Sequence, residues 1–361
     1  MEPSTPSRTV LFAVLDWGMG HATRTAPLVE AAIASGHRVH VASRGVGLAW
    51  LRERFAGTGV AFHEKPGRHI SYAERFNFLH IAGQMPGFLR SIDEELDWTA
   101  AFVAEHGVDR VFSDNCYGVA AADVPSILMT HQLHLPVPAG LRPFARRVVR
   151  GWCERFGEVW VPDLEGAEAL SGRLGHPALL PDRTRYVGPL SHLAGLTGRA
   201  TGASWTAVGM VSGPEPHRTL MEEGLRRWLG GLAGQHVIFA GRPGGGERRD
   251  GNVLTRYSAP AEEIVGAWAE AKFFVCRAGY STVLDLACEG KPAVLIPTPG
   301  QTEQLQVAQH LAQFPSYRIC RQQQLLTGHM PTAAELLQLP GRQPIAGNVR
   351  AVERLRQWLH S

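Results

Sequence analysis

Short runs of purely apolar residues alternate along this chain with longer segments in which apolar positions recur every three or four residues. The first pattern suits a strand buried on both faces, and the second marks one face of a helix. Residues 9–15 predict a first strand, Ala26 through Ile33 a helix stopped by Ser35-Gly36, and residues 38–42 a second strand. Pro27 is expected in that helix's first turn, where a missing N–H does little harm. Further strands are predicted at 60–63, 110–112, 126–129 and 159–161, with a closing one near 185–190. A polar, aromatic segment at 68–78 and a long helix over about 84–105 separate two of them.

Residues 193–204, rich in Gly, Thr and Ala, have the composition of a linker. The alternation then begins anew, with strands at 206–211, 236–240, 253–256, 273–276, 293–296 and 317–320 and helices at 220–229 and 261–270. A glycine loop is expected at 241–246. A last helix, 347–359, carries Val349, Val352, Leu355 and Leu359 at helical spacing. The pattern is α/β: two Rossmann-like domains, 1–192 and 205–345, joined at 193–204 and followed by a C-terminal helical segment, 346–361.

A chain of 361 residues is long enough to bury two separate cores. Its net charge of +3 is too small to argue for nucleic acid and suits an acidic small ligand or a weak contact with an anionic membrane. The five cysteines are odd in number and lie in apolar runs without metal-type spacing, which predicts reduced core thiols and a cytoplasmic protein. The N-terminus lacks a basic-then-apolar signal and is expected to remain as a short frayed arm. No apolar run reaches the roughly 18 residues of a membrane span. No Asp-x-Asp pair stands at a strand end to hold a divalent ion, so neither metal nor cofactor is expected. Residues 141–156 set Leu141, Phe144, Val148, Val149, Trp152 and Phe156 against five arginines. Such a stripe is either an ordinary packed helix with a solvated face or a docking face for anionic lipid.

The stretch 276–304 carries the most chemistry. A strand ends at Arg277-Ala-Gly279-Tyr-Ser281-Thr282, where glycine permits an unusual turn and the hydroxyls can cap the next helix. The backbone N–H groups and dipole of that helix favour an anion. Asp285, one turn further on, is an acceptor-only group suited to a ribose hydroxyl pair, and Glu303 and Gln304 follow the next strand with groups suited to sugar hydroxyls. Phosphate, ribose and sugar together indicate a nucleotide sugar. Arg218 and Arg242 are candidates for diphosphate contact through their planar forks.

The run 271–285, then Gly290-Lys-Pro-Ala-Val-Leu-Ile-Pro, then Glu303-Gln304, resembles the donor-binding half of the MurG-like glycosyltransferases, of the GT-B, family 28 type. Those enzymes move N-acetylglucosamine from a uridine diphosphate carrier. The resemblance implies two domains facing across a cleft, acceptor on the first and UDP-sugar on the second, with the C-terminal helix crossing back to brace the first. It implies the diphosphate at Gly279, Ser281 and Thr282, the ribose at Asp285 where the family usually has Glu, the uracil near the strand end before Tyr257, and the sugar at Gln304. Gln301-Thr302-Glu303 replaces the family's usual charged residues, which leaves the sugar open.

The first loop reads Gly18-Met19-Gly20-His21-Ala22-Thr23-Arg24. It lacks the third glycine of a dinucleotide site, and the second strand ends at Ser43-Arg44 rather than an acid, which disfavours a nicotinamide cofactor. Gly18 and Gly20 let a diphosphate or sugar approach the backbone, with Arg24 in the same loop. The Gly-x-Gly-His-x-x-Arg order is similar to the first loop of UDP-sugar hydrolases related to the MurG-like family. His21 is the first choice for a general base, Asp114 at a later strand tip can orient it, and His131 is the second choice.

Together these residues predict a metal-independent, inverting glycosyltransferase that uses a UDP-sugar and an acceptor the sequence leaves open, a lipid-linked one at the inner membrane face among the candidates. The rivals are a UDP-sugar hydrolase using His21 to activate water and a non-catalytic nucleotide-sugar binding protein. A non-hydrolysing epimerase is disfavoured because its acidic catalytic positions are missing.

Overall fold

The computed structural model of the chain describes residues 7–67, 78–135, 137–198, 204–242 and 245–361. The polar aromatic segment after β3 and parts of the 193–204 and 241–246 segments fall outside the described residues. The chain divides into two compact units, residues 1–192 with 347–361, and residues 193–346.

The first unit runs β1 (Thr9–Val14), α1 (Met19–Ala34), β2 (Arg38–Ser43), α2 (Gly45–Arg54), β3 (Ala61–Glu64), α3 (Phe78–His106), β4 (Arg110–Asp114), β5 (Ser126–Met129), α4 (Arg142–Cys153), β6 (Glu158–Val161) and β7 (Thr184–Tyr186). Its strands form one parallel sheet in the order β3-β2-β1-β4-β5-β6-β7. All six residues of β1 and all five of β4 are buried, as strands covered on both faces require. Val14 is level with Asp114, and Asp114 with Met129, so the loops after β1, β4 and β5 emerge on one rim.

The second unit runs β8 (Trp205–Met210), α5 (His217–Gly230), β9 (Gln235–Phe239), β10 (Glu247–Asp250), β11 (Val253–Arg256), α6 (Ala261–Glu270), β12 (Phe273–Cys276), α7 (Tyr280–Glu289), β13 (Ala293–Leu295), α8 (Thr302–Leu311), β14 (Tyr317–Ile319), α9 (Gln322–Thr327) and α10 (Ala333–Leu337). The sheet order is β10-β11-β9-β8-β12-β13-β14, parallel except where β10 pairs antiparallel with β11. Cys276 is level with both Met210 and Leu295, so the loops after β8, β12 and β13 share the carboxyl rim.

The last helix, α11 (Val349–His360), belongs to the first unit. Its Ala351, Leu355 and Leu359 are fully buried in the cluster that holds the apolar face of α1. Burying each leucine contributes about 1.5–3 kcal/mol. Arg354 forks onto Glu158 at 3.0 and 3.1 Å, and the Asn348 side chain bonds both the N–H and the carbonyl of Ser191, at 2.9 and 2.8 Å.

Several expectations are corrected. Helix α1 starts at Met19, so Pro27 stands in its interior and withholds a donor from the Thr23 carbonyl; the buried faces of Leu28 and Val29 keep the helix going. Helix α2 and strand β10 were not foreseen, and residues 302–304, expected in a loop, open α8.

Candidate functional site

His21 occupies the first turn of α1, whose N-cap Gly18 has φ 108 and ψ −175. That conformation is open essentially only to glycine, so Gly18 sets the direction from which His21 leaves the rim. The His21 Nδ1 lies 3.0 Å from Asp114 Oδ1, with the imidazole 13% exposed and the carboxylate fully buried. Asp114 accepts from Arg24 Nε at 2.9 Å and from Thr25 Oγ1 at 2.7 Å, and Arg24 Nη2 also donates to its Oδ1. Arg24 Nη1 lies 3.2 Å from His131 Nδ1, and Arg24 Nη2 lies 2.9 Å from His21 Nδ1.

Three of the expected catalytic residues are thus gathered by one buried arginine. Arg24, expected to face a phosphate or acceptor, is only 2% exposed and turned inward onto Asp114. The cause is electrostatic: a buried carboxylate without a counter-charge is costly, and Arg24 lies one helical turn from His21 on the inner face of α1. His131 is also buried, at 2% exposure, with its Nδ1 toward a donor-only group, so it is an acceptor at that atom.

The neighbours of His21 demand opposite tautomers. A proton on Nδ1 is donated to Asp114 and leaves Nε2 as the basic atom; a proton on Nε2 leaves Nδ1 to accept from Arg24. Burial, then the Arg24 charge, lowers the imidazole pKa below its ordinary 6.5 against the opposing pull of Asp114. Burial alone would raise Asp114, but Arg24 and then His21 override it and hold the carboxyl well below the usual carboxylate range. Neutral His21 beside ionised Asp114 can take a proton from a hydroxyl or a water.

In the second unit Gly279 is the N-cap of α7 with φ −68 and ψ 135, an ordinary extended conformation. The unusual turn expected there is absent, and Ser281 and Thr282 lie inside the first turn of α7, whose N-cap is Gly279 itself. A Cβ built on Gly279 would meet no atom within 4 Å. The fold itself therefore gives no reason for glycine at this position. Asp285 is half-buried one turn along the same helix, and Glu303 and Gln304 stand in the first turn of α8. Gln304 Oε1 accepts from the Thr298 N–H at 2.9 Å and its Nε2 donates to Gln301.

The two candidate arginines are held by protein groups. Arg218 Nη2 donates to the carbonyls of Ala240 and Gly241 at 2.6 and 2.7 Å. Arg242 lies 2.9 Å from Glu222 and 5.8 Å over the Tyr257 ring. They fasten α5 to the ends of β9 and β11.

Two residues scarcely legible in the sequence stand out here: Thr25, whose hydroxyl completes the shell of Asp114, and Arg277, fully buried directly before Ala278-Gly279. Thr25 was detectable only as a hydroxyl next to Arg24 on an otherwise apolar helix face. Among the described residues no group of three or more His, Cys, Asp or Glu is arranged to hold a metal ion, and no helix is long and apolar enough to cross a membrane. Around α4, Phe144 (69%), Leu141 (43%), Leu179 (72%) and Leu180 (44%) are exposed. Beside them a groove of about 570 Å³ is lined by Arg146, Arg147 and Arg150.

Residues 252–349 match the Glycosyltransferase family 28 C-terminal domain. Over 152 residues the chain is 28% identical to the UDP-N-acetylglucosamine–N-acetylmuramyl-(pentapeptide) pyrophosphoryl-undecaprenol N-acetylglucosamine transferase of Alkalilimnicola ehrlichii, covering 37% of this chain and 42% of that protein. The aligned stretch spans less than half the length of each curated relative it matches. Acinetobacter baumannii MurG superposes with a TM-score of 0.60 at 14% identity over 98% of this chain and 100% of the other. The spinosyn rhamnosyltransferase SpnG complexed with thymidine diphosphate does so with 0.62 at 15% identity, over 98% and 96%. The chain is therefore a two-domain α/β protein of GT-B fold whose second unit is similar to the C-terminal domain of MurG-like, family 28 glycosyltransferases.

Proposed function

We propose that this protein is a glycosyltransferase that moves a sugar, an N-acetylhexosamine by the likeness to its relatives, from a UDP-sugar to an acceptor hydroxyl. The observation that carries this is the family 28 match over residues 252–349, which spans Tyr257, Gly279 and the first turn of α7 with Ser281 and Thr282, Asp285, Glu303 and Gln304, on segments that follow strands ending at one carboxyl rim. The diphosphate rests on the peptide N–H groups at the start of α7, where the helix dipole favours negative charge. Asp285 accepts from the ribose, and Glu303 and Gln304 address the sugar hydroxyls. The acceptor oxygen attacks the anomeric carbon, the bond to the diphosphate oxygen breaks, and the acceptor proton passes to Nε2 of His21. UDP leaves with the electron pair, its charge stabilised by the α7 dipole.

Such a single displacement inverts the anomeric centre. The acceptor is lipid-linked, and the exposed apolar side chains and arginines around α4 rest against an anionic membrane. The test is a panel of nucleotide sugars with candidate acceptors, read by NMR of the product. Transfer with inversion supports the proposal; retention overturns the His21 mechanism. Free sugar released without any acceptor identifies a hydrolase, in which His21 activates water instead.

A further inference from the structure

Arg277 directly follows β12 and is fully buried, yet the groups that accept from its guanidinium are all neutral. Nη1 donates to the Ile296 carbonyl at 3.2 Å, and Nη2 donates to the His217 carbonyl at 2.6 Å and to Gln322 Oε1 at 2.8 Å, while Nε is buried without a partner. Among the described residues no carboxylate is paired with it. Arg24, fully buried as well, has the whole of Asp114 opposite it. Burial alone draws the Arg277 pKa down to about 10, with only the neighbouring Cys276 acting against it. A buried guanidinium without a counter-charge is normally selected against, because desolvation is not repaid by neutral acceptors alone.

Its position is as particular as its charge. His217 opens α5, Ile296 directly follows β13, and Arg277 itself stands two residues before the N-cap of α7. One side chain therefore ties the start of α5, which follows β8, to the segments directly after β12 and β13, neighbours on the rim.

Resting on the nucleotide-sugar function proposed above, we propose that Arg277 is a positioning residue for the donor diphosphate. Its fixed charge is completed by the bound anion without touching it, and its three bonds hold the rim loops at the spacing the anion needs. The affinity it confers is therefore specific to the diphosphate and absent for the nucleoside.

The test compares UDP with uridine by calorimetry on the full chain, as wild type and as Gln322→Glu. That substitution places a carboxylate against Arg277 without removing the arginine. The expected result is a higher Tm, because the buried charge gains a partner, together with UDP affinity lower by on the order of tenfold and uridine affinity unchanged. A purely structural arginine predicts the higher Tm with UDP affinity unchanged or improved, and that result overturns the proposal. Arg277→Lys, which keeps a charge but loses the fork, should hold UDP more tightly than Arg277→Met. Equal UDP affinity for those two variants, or equal loss for UDP and uridine, also overturns it. Should Arg277→Met fail to fold, the Gln322→Glu comparison decides alone. Wild type that binds neither UDP nor any other nucleoside diphosphate overturns the proposed function itself, a result distinct from all of these.

Discussion

Replacing Gly279 by alanine separates what the fold needs from what a ligand needs. Gly279 has φ −68 and ψ 135, and an added Cβ meets nothing within 4 Å. Alanine therefore adopts the native backbone without strain, and restricting the unfolded chain favours it by about 0.4–1 kcal/mol. Losing glycine as an N-cap opposes this by a similar amount, since alanine ranks below glycine there. The net change in stability should be under about 1 kcal/mol, a shift in Tm of no more than about 4 °C. If a diphosphate lies against the peptides of residues 279–282, the new methyl group stands where the anion approaches. Losing one charge-assisted hydrogen bond costs about 1.5–3 kcal/mol, which weakens UDP binding by roughly tenfold to more than a hundredfold. Thermal unfolding and calorimetry with UDP on the same preparation measure both numbers. Wild-type UDP affinity in a folded Gly279→Ala protein would refute the placement of the diphosphate at this turn.

Gly18→Ala should behave in the opposite way, because φ 108 at that position excludes a side chain. It should destabilise the protein by about 1–3 kcal/mol, visible as a lower urea midpoint; an unchanged midpoint contradicts the argument. The proposed general base His21 can work only when neutral, so under that proposal kcat/KM should fall toward acid with a midpoint below the ordinary 6.5, and Arg24→Met should move that midpoint upward. A midpoint above 6.5 in the wild type, or a downward move in the variant, contradicts the geometry drawn around Asp114. His40, stacked on His63 and close to His106, and His192 near Trp50 are each held to about 4, chiefly by burial. With folded pKa values below the unfolded 6.5, the unfolded chain binds more protons between those limits. Stability therefore falls as pH drops from about 6.5 toward 4, and urea midpoints at pH 7.5 and pH 5 should differ accordingly; equal midpoints contradict it.

The alternation of strand and helix was legible because a parallel strand covered on both faces is largely apolar, as the buried strands β1 and β12 are. Helix α2 escaped because Gly45 and Gly47 weaken its local signal; Gly47 is in fact a packing position, its added Cβ 3.7 Å from that of Ala22. Strand β10 is exposed and charged at all four residues, and only its backbone pairing with β11 makes it a strand. Pro297, Pro299 and Gly300 look like continuing loop and hid the start of α8 at Thr302. At the site, the types and order of His21, Asp114 and His131 were readable, but their common tie to Arg24 was not. Whether an arginine faces water or a buried carboxylate is decided by residues 90 positions away in the chain. Arg277 escaped for the same reason, since sequence cannot tell a buried cation from a surface one.

Binding of a nucleoside diphosphate sugar by the second unit, proposed at the start of α7, is decided by titrating the intact protein with UDP, with NAD as comparator. Saturable binding of UDP and none of NAD is the predicted result; binding of NAD with no response to UDP would contradict it.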